Sequence, residues 1–386
     1  MLAGRDRALA EVDLEAIRAN VRRLRRDLPA GAAHCAVVKA DGYGHGAVPV
    51  ARAALEAGSD WLGVATPVEA EELRAAGCTV PIIVFGPMTG ADLEHAVRVA
   101  ADVVVWSASF LAAACRLGAR MHVKFDSGMG RLGVSEEETR ELCARAAEPG
   151  LLVGLMSHFA TADEADTSFF EYQLRRFGAL AGELTELYPD LLCHAANSAA
   201  TLLGPGAHFG MVRTGIAMYG LAPGNDDPLK DDLRPAMKLT SYIAGVRHVG
   251  PGESVGYGRR FIAENPVRMG IVPIGYADGV NRLLSNRGDV LVSGRRCRIT
   301  GTISMDQLTV MLPDDWGRAG DEVVFFGPAG PAAAGDVASG APRILCEEMA
   351  RLLKTINYEV VCRISPRVVR RYRGASPGSS GNRSTG

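Results

Sequence analysis

The stretch AVVKADGYGHGA, Ala36 to Ala47, decides how the rest of the chain is read. It opens as a buried strand, with Val37 and Val38 both apolar and β-branched, and it then changes character at Lys39. The next seven residues include three glycines, Tyr43 and His45. An amine at the mouth of a glycine-rich loop calls for a chemical reason. Upstream, Asp13 is a plausible N-cap, and Leu14, Ile17, Val21, Leu24 and Leu28 recur at helical spacing among arginines, which predicts an amphipathic helix before the strand.

Downstream, short β-rich runs alternate with helix-favouring stretches. The runs are HCAVVKA, WLGVAT, PIIVFG, DVVVWS, MHVKFD, LLVGLMSH, LCHAANS and VRTGIAMYG, eight in all. Parallel βα units are the natural reading, and eight of them close into an N-terminal (β/α)8 TIM-type barrel ending near Leu221. A Pro, Gly and Asp cluster, APGNDDPLKDDLRP, then reads as a linker. From Pro235 onward, MKLTSYIAGVRHV, SVGYGRRFIA, RMGIVPIGYADGV, DVLVSGRRCRITGTISMDQLTVML and DEVVFFG are strand-like runs separated by glycine turns, which predicts a mainly-β domain. RILCEEMARLLKTI has helical spacing, and NYEVVCRI reads as a return to strand. The expected organisation is a barrel over 1–234, whose first residues pair with the second domain, a β domain over 235–372, and a disordered Gly, Ser and Pro rich tail over 373–386.

Composition narrows the function. The 386 residues are 47% hydrophobic, and 42 basic against 44 acidic residues leave a formal charge of −2. No global field attracts nucleic acid or anionic lipid, so small-molecule chemistry is favoured. The eight cysteines form no CxxC pair or tight Cys/His cluster, so no metal site is expected. The N-terminus lacks the apolar core of a secretory signal, no segment is long enough to span a bilayer, and a cytoplasmic location is expected.

In such a barrel the site lies at the C-terminal ends of the strands. Lys39 is at one of them. A lysine held among apolar neighbours has a lowered pKa and can form a Schiff base with a carbonyl, although the same residue can simply extend its amine to the rim. His158 closes LLVGLMSH, Asn197 and Ser198 close LCHAANS, and Arg213 and Gly215 lie in the last run. Loops after strands seven and eight commonly seat phosphate, and Ser198, Gly215 and Ile216 are placed to do so. A lysine with a phosphate seat points to pyridoxal phosphate or, less specifically, to a sugar-phosphate aldolase.

AVVKADGYGHGA also closely resembles the pyridoxal-phosphate lysine motif of alanine racemases. The resemblance continues in order through KFDSGMGRLG, SHFATAD, HAANSAA, VRTGIAMYGL, GYGRRF, GYADG, TISMDQ and TINYEVVCRISPRVVR. It implies an α/β barrel followed by a C-terminal β domain, pyridoxal 5'-phosphate as cofactor, alanine as substrate, and a homodimer with shared active sites. Lys39 would hold the cofactor and act as one catalytic base, and Tyr257, from the partner subunit, as the other. Two bases are the simplest way to take a proton from one face of Cα and return one to the opposite face. Arg213 would face the pyridine nitrogen, oriented by His158. Tyr43, Ser198, Gly215, Ile216 and Tyr358 would bind the phosphate. Arg131 would contact the phenolic oxygen of the cofactor and, with Met305 from the partner subunit, the substrate carboxylate region, and Tyr276 and Asp306 would line the approach path. Lys124, seven residues before Arg131, would be carbamylated. DSGM stands where the family shows DTGM. A racemase of wider range acting on serine or other small amino acids, a non-catalytic pyridoxal-phosphate carrier, and a decarboxylase of the related barrel-plus-β-domain family are the alternatives; carriers resemble only the barrel half, and the β domain shows no cysteine-centred decarboxylase motif.

Overall fold

A computed structural model describes residues 6–331 and 340–375. Among these residues the strands are β1 Leu9–Asp13, β2 Ala33–Val37, β3 Trp61–Val64, β4 Ile82–Val84, β5 Asp102–Val105, β6 Met121–Lys124, β7 Leu152–Met156, β8 Leu192–His194 and β9 Met211–Thr214. They continue with β10 Met237–Tyr242, β11 Gly245–Val249, β12 Val267–Val272, β13 Asp289–Val292, β14 Arg295–Arg298, β15 Leu308–Leu312, β16 Glu322–Pro328, β17 Arg343–Ile344 and β18 Val369–Arg373. The chain divides into two compact units. One comprises Arg18–Tyr43 and Val50–Met218, and the other holds the remaining described residues.

The first unit is an eight-stranded parallel sheet in the order β8-β7-β6-β5-β4-β3-β2-β9. Two backbone hydrogen bonds draw its ends together, from Gly210 N–H to Cys193 O at 2.9 Å and from Arg213 N–H to Ala196 O at 3.0 Å. The result is a nearly closed (β/α)8 barrel. Its strands are buried on both faces, as the continuous apolar runs require. The following helices start where small polar residues supply caps. Thr66 with Glu69, Thr89 with Asp92, and Ser135 with Glu138 form reciprocal capping boxes, while Ser107 and Asn197 each accept one backbone N–H. Such caps end each loop at a defined residue and so fix where the strand-end side chains stand.

The second unit is mainly β. One sheet runs β14-β13-β16-β10-β1-β18, with β17 on β16, and a smaller one runs β11-β12-β15. β1 pairs antiparallel with β10 and parallel with β18, so the N-terminal strand is central to this sheet. Asp13 ends β1 and caps the helix Leu14–Arg26, accepting from the N–H groups of Glu15 and Ala16. Val249, Ala263 and Met269 form an apolar core under the small sheet.

Two predictions are corrected. SVGYGRRFIA forms no strand, because its glycines bend it into a short turn over Tyr257–Arg259 with a single isolated bridge between Ser254 and Ile262. NYEVVCRI does not return to strand: Asn357–Cys362 is a helix despite its paired valines. Asn357 is anchored by its Nδ2, which donates to Ala222 O at 2.8 Å and to Glu347 Oε1 at 2.9 Å. Glu359 then pairs with Arg363 one turn on. These contacts outweigh the β propensity of Val360 and Val361. At the far end β18 carries the chain through Arg373, and residues 376–386 of the expected tail lie outside the described residues. No helix among the described residues is long and apolar enough to cross a membrane.

Candidate active site

Lys39 follows β2 directly, and what comes next is not an ordinary loop. Ala40, Asp41, Gly42 and Tyr43 have φ of 53°, 51°, 58° and 52°, a left-handed helical turn. Each non-glycine residue there carries a steric cost of about 1–2 kcal/mol. Two contacts hold the turn: Gly42 N–H donates to Val38 O at 2.8 Å, and Ala40 N–H donates to Glu69 Oε1 at 2.7 Å. The other oxygen of Glu69 accepts from Ala65 and Thr66 N–H, so one capping carboxylate also anchors the lysine turn. Lys39 is half-buried, and its charge is felt by Lys124 and His158.

Tyr43 is buried, and its hydroxyl lies against Gly215: a Cβ built there would stand 2.3 Å from Tyr43 Oη. Ser198 Oγ accepts from the N–H groups of Gly215 at 2.9 Å and Ala217 at 3.3 Å, with Ile216 between them. Asn197 caps the helix that begins at Ser198, and its Nδ2 donates to Phe159 O at 3.3 Å.

Arg213 is buried in the barrel wall on β9. Its Nη1 donates to His194 Nδ1 at 2.8 Å, and its Nη2 donates to Ser157 O at 2.8 Å, to Ala195 O at 3.0 Å and to His158 Nδ1 at 3.3 Å. Burial lowers its pKa to about 10, which leaves it charged at neutral pH. Burial, then the charges of Arg213, Lys124, Arg131 and Lys39, hold His158 well below the usual histidine range. It is therefore neutral.

Lys124 ends β6 and is almost wholly buried. Burial first, and then the charges of Arg213, Arg131 and Lys39 against one opposing carboxylate, Asp126, push its pKa down to about 8. Asp126 organises the following turn by accepting from Gly128 and Gly130 N–H, which leaves Arg131 exposed just beyond. The serine of DSGM, Ser127, shares a 2.8 Å hydrogen bond with Ser157 Oγ.

The remaining candidates belong to the β unit. Tyr257 opens a short turn and is 71% exposed, with its carbonyl accepting from Thr302 Oγ1 at 2.8 Å. Tyr276 N–H donates to Ser304 O and Ala277 N–H to Met305 O, both at 3.1 Å, so GYADG and TISMDQ are zipped together. Arg367 donates to Asp306 Oδ1 at 2.7 Å and faces Asp278 at 3.5 Å. Arg7 pairs with Asp278 and also donates to Asp306 O at 3.1 Å. Tyr358 is half-buried on the helix anchored by Asn357.

The barrel unit thus gathers Lys39, Tyr43, Lys124, Arg131, His158, Asn197, Ser198, Arg213, Gly215 and Ile216. The β unit gathers Tyr276, Met305 and Asp306 around one pair of loops and carries Tyr257 and Tyr358 on separate turns. Sequence reasoning overlooked Glu69, His194, His122 and Asp102. A signal existed for the last three, since each is a polar residue inside an otherwise apolar strand run.

Comparison with known proteins follows the same division. Residues 12–223 match the family model described as alanine racemase, N-terminal domain, and residues 236–372 match the C-terminal domain. An alanine racemase of Frankia casuarinae is 43% identical over 96% of this chain and 97% of its own length. One from Geobacillus stearothermophilus is 44% identical over 94% of this chain and 92% of its own. The crystal structure of alanine racemase from D-cycloserine-producing Streptomyces lavendulae superposes with a TM-score of 0.86 at 42% identity, covering 96% of this chain and 98% of that one. The Bacillus anthracis alanine racemase with bound L-Ala-P superposes with a TM-score of 0.85 at 36% identity, covering 96% of each chain.

Proposed function

This chain belongs to the alanine racemase family, and from that premise we propose that it interconverts L-alanine and D-alanine, with pyridoxal 5'-phosphate as cofactor and two catalytic bases. The D-alanine would serve peptidoglycan synthesis. The observation that carries the reading is the gathering, in one barrel, of an amine on a held turn, a hydroxyl and backbone N–H cradle, and a buried arginine.

The donor set fits the cofactor. A Cβ at residue 215 would stand 2.3 Å from Tyr43 Oη, so glycine lets that hydroxyl approach the backbone of residues 215–217, and a hydroxyl beside such backbone is suited to a phosphate. Tyr358 would add a second hydroxyl, Asn197 would hold Ser198 in place, and Lys39 would hold the aldehyde carbon. When bound, the cofactor supplies an electron-withdrawing ring that stabilises negative charge on the amino acid's Cα. Arg213, charged and only able to donate, would face the ring nitrogen and keep it unprotonated, which limits charge withdrawal to what proton exchange at Cα needs. His158 would orient the arginine.

Lys39 would move the proton on one face of Cα and the partner subunit's Tyr257 the proton on the other. Exposure supports a shared site: Tyr257, Met305 and Tyr276 are 71%, 52% and 43% exposed, an aromatic and thioether surface suited to cover by a second copy. Met305, through its backbone N–H, and Arg131 would hold the substrate carboxylate, with Tyr276 and Asp306 along its approach. The lowered pKa of Lys124 supports carbamylation. Its neutral amine would attack carbon dioxide, form a C–N bond and release a proton to water, and the resulting anion would balance Arg131.

Optical rotation of L-alanine solutions tests the reading. Lys39→Ala and Tyr257→Phe should each abolish loss of rotation, borohydride should fix the cofactor to the peptide containing Lys39, and L-serine should racemise far more slowly than L-alanine. Mixing the two inactive variants should restore activity, because a mixed dimer holds one site with both wild-type residues. Full activity in either variant alone would refute the two-base scheme, and failure of the mixture to recover would refute the shared site.

A further inference from the structure

The barrel interior holds a row of polar side chains that the proposed chemistry does not explain. Asp102 is the first residue of β5, His122 the second of β6, His194 the last of β8 and Arg213 the third of β9. All four are at most 4% exposed. Between them β7 contributes Gly154, paired in register with His122, and a Cβ there would stand 2.3 Å from His122 Nδ1. The missing side chain lets His122 reach across β7 to His194. Barrel interiors are ordinarily filled by branched apolar residues. Four buried polar groups in a row are tolerated only if each is paired.

Their donors and acceptors run in one direction. A guanidinium can only donate, so His194 Nδ1, 2.8 Å from Arg213 Nη1, is an acceptor. The proton of that imidazole then sits on Nε2, which donates to His122 Nδ1 at 2.9 Å. His122 in turn keeps its proton on Nε2, which faces Asp102 Oδ2 at 3.5 Å, an electrostatic approach outside hydrogen-bond geometry, while that oxygen accepts from Arg120 Nη2 at 3.3 Å. Arg120 clamps the carboxylate from the surface, with its Nε donating at 2.9 Å to Oδ1. Burial lowers the pKa of both imidazoles, and the order requires both to be neutral.

We infer that Asp102 and His122 are positioning residues for Arg213, acting through His194. The charge of the carboxylate favours the proton of His122 on Nε2, His122 Nδ1 fixes the tautomer of His194, and His194 presents Nδ1 to the guanidinium as a permanent acceptor. Arg213 is thereby held in one orientation on a strand where a lone arginine would have several rotamers. The functional half of this inference rests on the reading of Arg213 as the group that faces the cofactor's ring nitrogen.

The test uses the holoenzyme carrying 15N-labelled histidine. Long-range 1H–15N correlation spectra should show His122 and His194 as neutral Nε2–H tautomers throughout pH 6 to 9, with peaks assigned by single substitutions. A proton on Nδ1 of either ring, or an imidazolium at neutral pH, overturns the chain itself. His122→Leu should lower kcat about tenfold, the lower end of what outer-shell partners contribute, with KM little changed, and should shift the bound cofactor's visible absorption band. His122→Gln, whose amide can accept from His194 and donate to Asp102, should restore both. A folded His122→Leu variant with wild-type kcat and spectrum overturns the positioning role. Arg213→Lys addresses the underlying reading separately: an unchanged absorption band there removes Arg213 from the ring, whatever the tautomers are.

Discussion

Gly154 and His122 share a space that admits only one side chain, because a Cβ on residue 154 would stand 2.3 Å from His122 Nδ1 and 2.5 Å from Leu192 O. β7 is hydrogen-bonded to β6 on one side, after a register shift just before His122, and to β8 on the other, so it is held at that point from both sides.

Gly154→Ala should therefore destabilise the protein by about 1–3 kcal/mol, the range for overpacking a closed core. Urea denaturation followed by circular dichroism measures it. Combining it with His122→Ala should recover part of the loss; equal losses with and without the imidazole would show that the clash is with the Leu192 backbone instead.

Gly215→Ala probes the cradle. The added methyl would press on Tyr43 Oη, which lines the proposed phosphate seat. Affinity for pyridoxal 5'-phosphate, titrated by fluorescence into the cofactor-free protein, should fall at least about tenfold, or ~1.4 kcal/mol. Unaltered affinity would remove residue 215 from the phosphate seat.

Lys124 sets a pH dependence whose sign is unusual for a lysine. Its folded pKa, about 8, lies below the ordinary 10.5, so between those values the unfolded chain binds more protons than the folded one. Stability should then rise with pH across that window, by at most about 1.4 kcal/mol per pH unit. In carbonate-free buffer, the unfolding free energy of the wild type should rise relative to that of Lys124→Met from pH 8 to 10. Adding 13C-labelled bicarbonate near pH 8 should give a carbamate carbon resonance that Lys124→Met lacks.

His34 acts on the acid side. It is fully buried, its Nδ1 lies 2.9 Å from Ser59 Oγ and its Nε2 lies 2.8 Å from Thr214 Oγ1, and burial lowers its pKa to about 3. The unfolded chain takes up a proton below about 6.5 that the folded one refuses. Its contribution falls as pH drops from 6.5 toward 3, amounting to about 2 kcal/mol between pH 7 and pH 5. His34→Gln should flatten that part of the acid loss, read as a smaller difference in urea midpoint between the two pH values.

Much of the fold was legible because burial repeats locally. Eight apolar runs of strand length, most of them separated by helix-favouring stretches, specify parallel strands covered on both faces, and the glycine-punctuated runs after Pro235 specify a mainly-β domain. The site was legible where a polar residue closes such a run, as Lys39, His158 and Ser198 do. Asn357–Cys362 was misread because its helix depends on Ala222 and Glu347, both outside the segment.

The sequence by itself determined where the barrel strands run and which residues stand at their ends, since both follow from apolar runs and turn chemistry within a few residues. Only the tertiary structure decided what those residues meet. The left-handed turn after Lys39 is held by Glu69, about thirty residues on, against a local preference of the order of 1–2 kcal/mol per residue. The path from Asp102 to Arg213 needs side chains from four strands brought together and a glycine in a fifth. Local propensity carries no information about which side chains meet across a sheet, and the direction of the hydrogen bonds from Arg213 through His194 to His122 follows from that meeting, because a guanidinium can only donate.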